Sequence, residues 1–322
     1  MNIDSFQDTI NACRFCFMCR HLSAVGNVTF RESDTPRGRA LMTGKMQQNI
    51  RDLHPDYIDA FYRAELSAAN RFHCVSHYDE AGLILAARRD IVEAGLAPEN
   101  VRTLAIELQK VDFKVEGSGD TLYYVDIYSD EANAPKGCKI ISGGDTGKVL
   151  EVLGFVKEAE AVWIKFQAAV KASGCQTVVT SCPASYDMMK KHLDGVKVLH
   201  SSEFIAGKPG SGSVYYLDSD YLKNYHDNMA APRNLLKTLG YELKPFGTNC
   251  EESYSVGEGA VIYDKLNPEL TAKLCEHIAE LADNPDIDIL VTASPYTRFA
   301  LKKYAPRLKV LLLDEIAIRG IK

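Results

Sequence analysis

A chain of 322 residues, 46% hydrophobic and 25% charged, has the make-up of a globular protein large enough for two or three structural units. A net charge of −6 argues against nucleic acid as the natural partner, and no run approaches the roughly 20 apolar residues of a membrane span. The opening MNIDSFQDTINAC lacks the basic and apolar regions of a secretory signal, so cytosolic residence is expected, with peripheral membrane attachment through a partner left open. In a reducing compartment nine cysteines read as metal ligands and core residues rather than as a disulfide framework.

The first element is "CRFCFMC", which sets Cys13, Cys16 and Cys19 three residues apart. Such a run wraps the backbone so that successive thiolates reach different irons of one cluster, and the bacterial ferredoxin motif adds a fourth cysteine that serves a second cluster. That fourth slot is Ser23 here. In "RESDTPRGRALM" (31–42), Thr35 and Pro36 read as the N-cap and first residue of a helix. Arg37 and Arg39 are then either a solvated first turn or cations that stabilise a negatively charged cluster.

The missing ligand lies in "YRAELSAANRFHCV" (62–75). Laying the ferredoxin spacing so that it ends on Cys74 puts the earlier slots on Ala64, Ser67 and Asn70. The first motif has lost the cysteine for a second cluster, and the second motif has lost the three that would hold it. One complete set survives, Cys13, Cys16, Cys19 and Cys74, and predicts a single [4Fe–4S] cluster. Two plainer readings stand beside it: a structural zinc, although zinc sites usually pair their ligands in two knuckles, and a Cys74 that is merely a small buried hydrophobe. His73 neighbours the proposed ligand. A helix over 80–95 stopped by Gly95 follows, so residues 1–112 read as a small, mostly helical ferredoxin-like domain.

Beyond residue 115 strands alternate with helices, which predicts an α/β fold. "TLYYVDIYS" (121–129) and "SVYYLDSDY" (213–221) each open such a run. "GGDTGKV" (143–149) departs from the phosphate-loop spacing and reads as a turn opening a helix at 148–154. A helix over 149–173 carries Trp163 and Phe166 on its buried stripe. The segment 177–204 matches 289–316 without a gap at an offset of 112, with Val179, Thr180, Pro183, Lys190, Lys191 and Glu203 among the residues that recur. An internal duplication follows: a first α/β unit over 113–209 and a second over 210–322, each with a parallel sheet, joined through "AGKPGSGS" (206–213). Glu203 and Glu315 follow equivalent strands and are expected to cap the ensuing helices in both repeats.

In the order of "CRFCFMC", "ESDTPRGRA", "VTSCP", "KVLHSSEFIA", "DNMAAPRNLLKTLGYEL" and "VTASP", the chain resembles a family of iron–sulfur electron-transfer subunits. These have an N-terminal ferredoxin-like domain and two cysteine-rich CCG repeats, as in glycolate oxidase, lactate-utilisation systems and anaerobic glycerol-3-phosphate dehydrogenase. Heterodisulfide reductases carry related repeats in one of their subunits. The resemblance implies an FAD-linked dehydrogenase subunit as partner, acting on a small hydroxy acid, with FAD in that partner. It also implies repeat cysteines that this chain lacks. Asp220, Tyr254 and Ser255 stand where the second repeat would carry thiols, its CPxC is Ser294-Pro295-Tyr296-Thr297, and the first repeat keeps Cys182 but has Ser185. Cys182 and Cys250 are left as a residual thiol site or as inert core residues, and Cys138, Cys175 and Cys275 read as packing.

The leading expectation is therefore a redox subunit that relays single electrons through one cluster. A heterodisulfide-reductase-type catalytic subunit is disfavoured by the cysteine losses, and a metal-stapled interaction module remains as the third reading. No Ser-His-Asp or H-E-x-x-H pattern suggests another chemistry.

Overall fold

The computed structural model describes residues 1–244, 246–248, 250–282, 284 and 288–321. Residues 1–113 are helices and turns. Thr35 caps the helix Pro36–Gln48 by accepting the Gly38 amide at 3.1 Å. Gly38 is obligatory there, because a Cβ would sit 1.9 Å from the Glu32 carbonyl oxygen. Asp79 caps the helix Glu80–Glu93, and Gly95 follows its end in the left-handed region at φ +75°. The Asp90 carboxylate from that helix ties down the N-terminus, accepting the Asn2 and Ile3 amides at 2.6 and 2.9 Å.

The first α/β unit holds β1 (Lys114–Glu116), β2 (Thr121–Tyr124), β3 (Lys139–Ser142), β4 (Thr177–Thr180) and β5 (Lys197–His200), ordered β1-β3-β2-β4-β5. The second holds β6 (Gly212–Leu217), β7 (Tyr241–Lys244), β8 (Ile289–Thr292) and β9 (Lys309–Leu312), ordered β7-β6-β8-β9. All pairs are parallel except β1 with β3. The fold is thus α/β, and the duplication is structural as well as sequential. Thr177 pairs with Lys197 in the first sheet, and Ile289 with Lys309 in the second. The helices Pro183–His192 and Pro295–Tyr304 occupy the same place in the two repeats. Glu203 accepts the His200 amide at 2.8 Å and Glu315 accepts the Leu312 amide at 2.9 Å, as expected of both caps.

The long helix expected over 149–173 is instead two helices, Lys148–Leu153 and Val156–Ser173. Gly154, at φ +98°, makes the break where the chain passes so close to the Arg88 carbonyl that a Cβ would lie 2.5 Å from it. Trp163 and Phe166 are buried on the second of the two. The phosphate-loop look-alike is a capped turn, with Asp145 Oδ1 accepting the Gly147 and Val149 amides at 2.8 and 3.0 Å.

One apolar core joins the N-terminal residues Ile3, Val25, Phe61 and Leu83 to Tyr263, Leu274 and Val310 of the second unit. Another lies between the units, with Leu122 and Val178 packed among Tyr216 and Val291. Arg88, fully buried, reaches from the N-terminal unit into the first: its guanidinium donates to the Phe61 and Ala64 carbonyls at 2.9 Å and to the Val152 carbonyl at 3.0 Å. Burial lowers its pKa to about 10. A cation held by carbonyls near the ends of two helices meets the negative pole of each.

A candidate metal centre of four cysteines

The helix Gln7–Ala12 delivers the chain to Cys13 in extended conformation, and Phe15, at φ +51°, turns it toward Cys16. A tight turn over 17–20 then leads to the short helical turn Arg20–Leu22, leaving Cys19 at its mouth. Cys74 ends the helix Asn70–His73 and is held there by its amide N–H, which donates to the Asn70 carbonyl at 3.1 Å. The structure brings these distant segments together: Cys13, Cys16, Cys19 and Cys74 line a single recess, with Arg37 and Tyr78 at its wall. Cys16 is exposed and the other three are half-buried.

Burial pushes the Cys19 thiol up to about 11, partly offset by the Arg37 amide that faces it. Cys13 is raised for the same reason, with the Phe15 amide opposing and the Cys74 and Cys16 sulfurs adding to the rise. Thiols this reluctant to ionise by themselves become thiolates readily on a metal, which deprotonates a coordinating thiol outright. Tetrahedral zinc, at Zn–S of about 2.3 Å, draws its sulfurs to about 3.8 Å from one another. Among the described residues, only His21, His73 and Glu252 form a set of three or more ligating groups within 4.8 Å of each other. The four cysteine sulfurs are not gathered into such a set.

The cations near the recess differ from each other. Arg37 lies along its wall, its Nη1 donating to the Phe15 carbonyl at 3.3 Å and its guanidinium 4.2 Å above the Phe17 ring. Arg39 is not in a solvated turn. It is 1% exposed and ion-paired to Glu80 at 2.5 Å and Glu65 at 3.8 Å. Both partners lie far along the sequence, which is why a local reading of the helix start missed them. Of the residues lining the recess, Phe15, Met18 and Val75 are exposed, Val75 by 75%, and so are Phe17, by 65%, and Phe72 close by in the sequence.

Ala64, Ser67 and Asn70, where the spacing places vanished cysteines, are all buried. Their segment is braced from the second unit: Tyr225 donates to the Leu66 carbonyl at 2.7 Å, Asn224 to the Ser67 carbonyl at 2.6 Å, and Tyr263 to the Arg63 carbonyl at 2.6 Å. At the positions where the resemblance implies repeat thiols, a buried ionic network stands. Ser255 donates to Asp220 at 2.5 Å, Lys223 pairs with Asp220 at 3.2 Å, and Glu258 accepts from Ser219 and the Asp220 amide. Ser294 caps its helix through the Thr297 amide.

Cys182 is buried beside Asp126, its thiol pushed far up by burial. Cys250 is half-buried, with its amide donating to Asp218 at 3.1 Å. Cys138 and Cys175 precede strands, and Cys275 lies inside the helix Pro268–Leu281. His73 does not turn into the recess but meets Glu252 of the second unit. Nothing in the sequence signalled Glu252, because its significance comes only from the fold. No helix among the described residues is long and apolar enough to cross a membrane. No family model, curated protein or solved structure matches the chain.

Proposed function

We propose that this chain is an electron-transfer subunit carrying one [4Fe–4S] cluster on Cys13, Cys16, Cys19 and Cys74. It relays electrons in the cytosol to or from an FAD-linked dehydrogenase of small hydroxy acids. The observation that carries the reading is the convergence on one recess of a cysteine triple and a remote fourth cysteine chosen by spacing alone. The exposed Phe15, Met18 and Val75 at the recess support a protein partner, since exposed apolar side chains gathered at one place mark interaction sites. The helix N-terminus, through the Arg37 amide facing Cys19, supplies positive potential to a cluster that gains negative charge on reduction, while the Arg37 guanidinium is shared with Glu32 at 2.6 Å. Against a catalytic role for the repeats weighs the Asp220–Lys223–Glu258 network, which offers carboxylates and an ammonium in place of thiolates.

Anaerobic iron and acid-labile sulfide quantitation, with EPR before and after reduction, tests this. About four irons and four sulfides per chain are expected, with a reducible signal that Cys74→Ser abolishes or alters. Zinc without iron would overturn the reading, and about twice as much iron would return a cluster to the repeats.

A further inference from the structure

Beside the cysteine recess lies a second group of ligating side chains with a different chemistry. His21 sits in the turn just after Cys19, His73 immediately precedes Cys74, and Glu252 comes from the short helical turn Cys250–Glu252 of the second unit. One ligating atom from each lies within 4.8 Å of the other two. The two imidazoles meet edge to face, with centroids 4.9 Å apart and planes at 89°. The Glu252 carboxylate touches His73 Nε2. An ion pair accounts for His73 and Glu252, but not for a second imidazole brought to the same point.

We propose that His21, His73 and Glu252 form a second metal site, holding a single divalent transition-metal ion through two imidazole nitrogens and one carboxylate oxygen. Nitrogen-rich sites of this composition suit zinc, iron, nickel or copper ions, whereas magnesium and calcium prefer all-oxygen sites. Three protein ligands leave at least one coordination position free, and the exposed His21 gives water or a small oxygen-donor molecule access to it. The backbone on two sides is fixed: the His21 carbonyl accepts from Asn27 at 2.8 Å and the Glu252 carbonyl from Thr248 at 2.6 Å. The ion would also join the N-terminal unit to the second α/β unit. The site uses no sulfur and stands independently of what the cysteines bind.

The test uses the full-length protein with its cysteine site as isolated, titrated with Zn²⁺ against a chromophoric chelator and examined by zinc X-ray absorption. One Zn²⁺ per chain is expected, in a nitrogen and oxygen shell at about 2.0–2.1 Å. His21→Gln, at an exposed position, and Glu252→Gln should each weaken binding by at least about tenfold while iron content stays unchanged. A shell dominated by sulfur at about 2.3 Å would place the zinc on the cysteines and overturn the proposal. Unchanged affinity in His21→Gln would overturn it equally.

Discussion

The Tyr123 hydroxyl donates to the Asp314 carboxylate across 2.9 Å, joining the first α/β unit to the second, while Ser201 donates to the other carboxylate oxygen at 2.7 Å. Burial nevertheless pushes the Asp314 carboxyl up to about 6 from 3.8, the two hydroxyls opposing the rise. A raised carboxyl contributes stability that is fully present below its unfolded value and lost as pH rises through 6. Tyr123→Phe removes a donor to the ionised form. It should cost about 1.5–3 kcal/mol near pH 8 and less near pH 5, by urea unfolding. Asp314→Asn should flatten the same pH profile.

His200 acts with the opposite sign. It is buried, its Nε2 donates to the Ser181 carbonyl at 3.2 Å, and Nδ1 accepts from the Ser202 hydroxyl at 2.8 Å and the Ser202 amide at 3.2 Å. A proton on Nδ1 would remove that acceptor, and burial lowers the imidazole's pKa to about 4 from 6.5. Its contribution to stability is present above pH 6.5 and lost as pH falls through 4, by up to about 3 kcal/mol. Proton NMR of the folded protein should show one imidazole that stays neutral at pH 5.5, and His200→Gln should lack it.

Arg37→Ala should make the proposed cluster harder to reduce. The substitution removes a cation from the recess wall and leaves its ion-pair partner Glu32, 2.6 Å from it, uncompensated, which lowers the midpoint potential by on the order of tens of millivolts. A redox titration followed by EPR reads the shift, and a rise in potential would count against a cluster in this recess.

Arg88→Met keeps most of the buried volume but leaves the Phe61, Ala64 and Val152 carbonyls without their donor. Each unpaired buried group costs about 1–3 kcal/mol, so the loss should reach at least about 3 kcal/mol in denaturant unfolding. A variant as stable as the parent would show that water replaces the guanidinium.

Much of this architecture was legible because it rests on local signals or on repetition. The 112-residue offset located two sheets, two helices and both glutamate caps. Thr35, Pro36 and Asp145 carry their structural roles in the few residues around them. The recess was legible through spacing, since the register ending on Cys74 singled out one cysteine among the remaining six. What escaped depends on partners distant in the chain. Gly154 breaks a helix because of the Arg88 backbone, Arg39 is buried because Glu65 and Glu80 meet it, and β1 runs antiparallel at a sheet edge. The His21, His73 and Glu252 group belongs to the same class, because no periodicity links three residues drawn from two units.

The bracing of the Cys74 segment by Tyr225, Asn224 and Tyr263 also sets an order of events during synthesis. The cysteine triple and Cys74 leave the ribosome early, but the side chains that hold residues 63–67 are translated more than a hundred residues later. At about 5–20 residues per second the nascent N-terminal unit waits on the order of 10–40 seconds for them, its share of the common core still exposed. A chaperone or the unfinished chain itself must cover that surface in the interval. Cys74 is firmly seated only after Tyr263 has been made, so loading of the proposed cluster at this recess would be a late step in the protein's maturation.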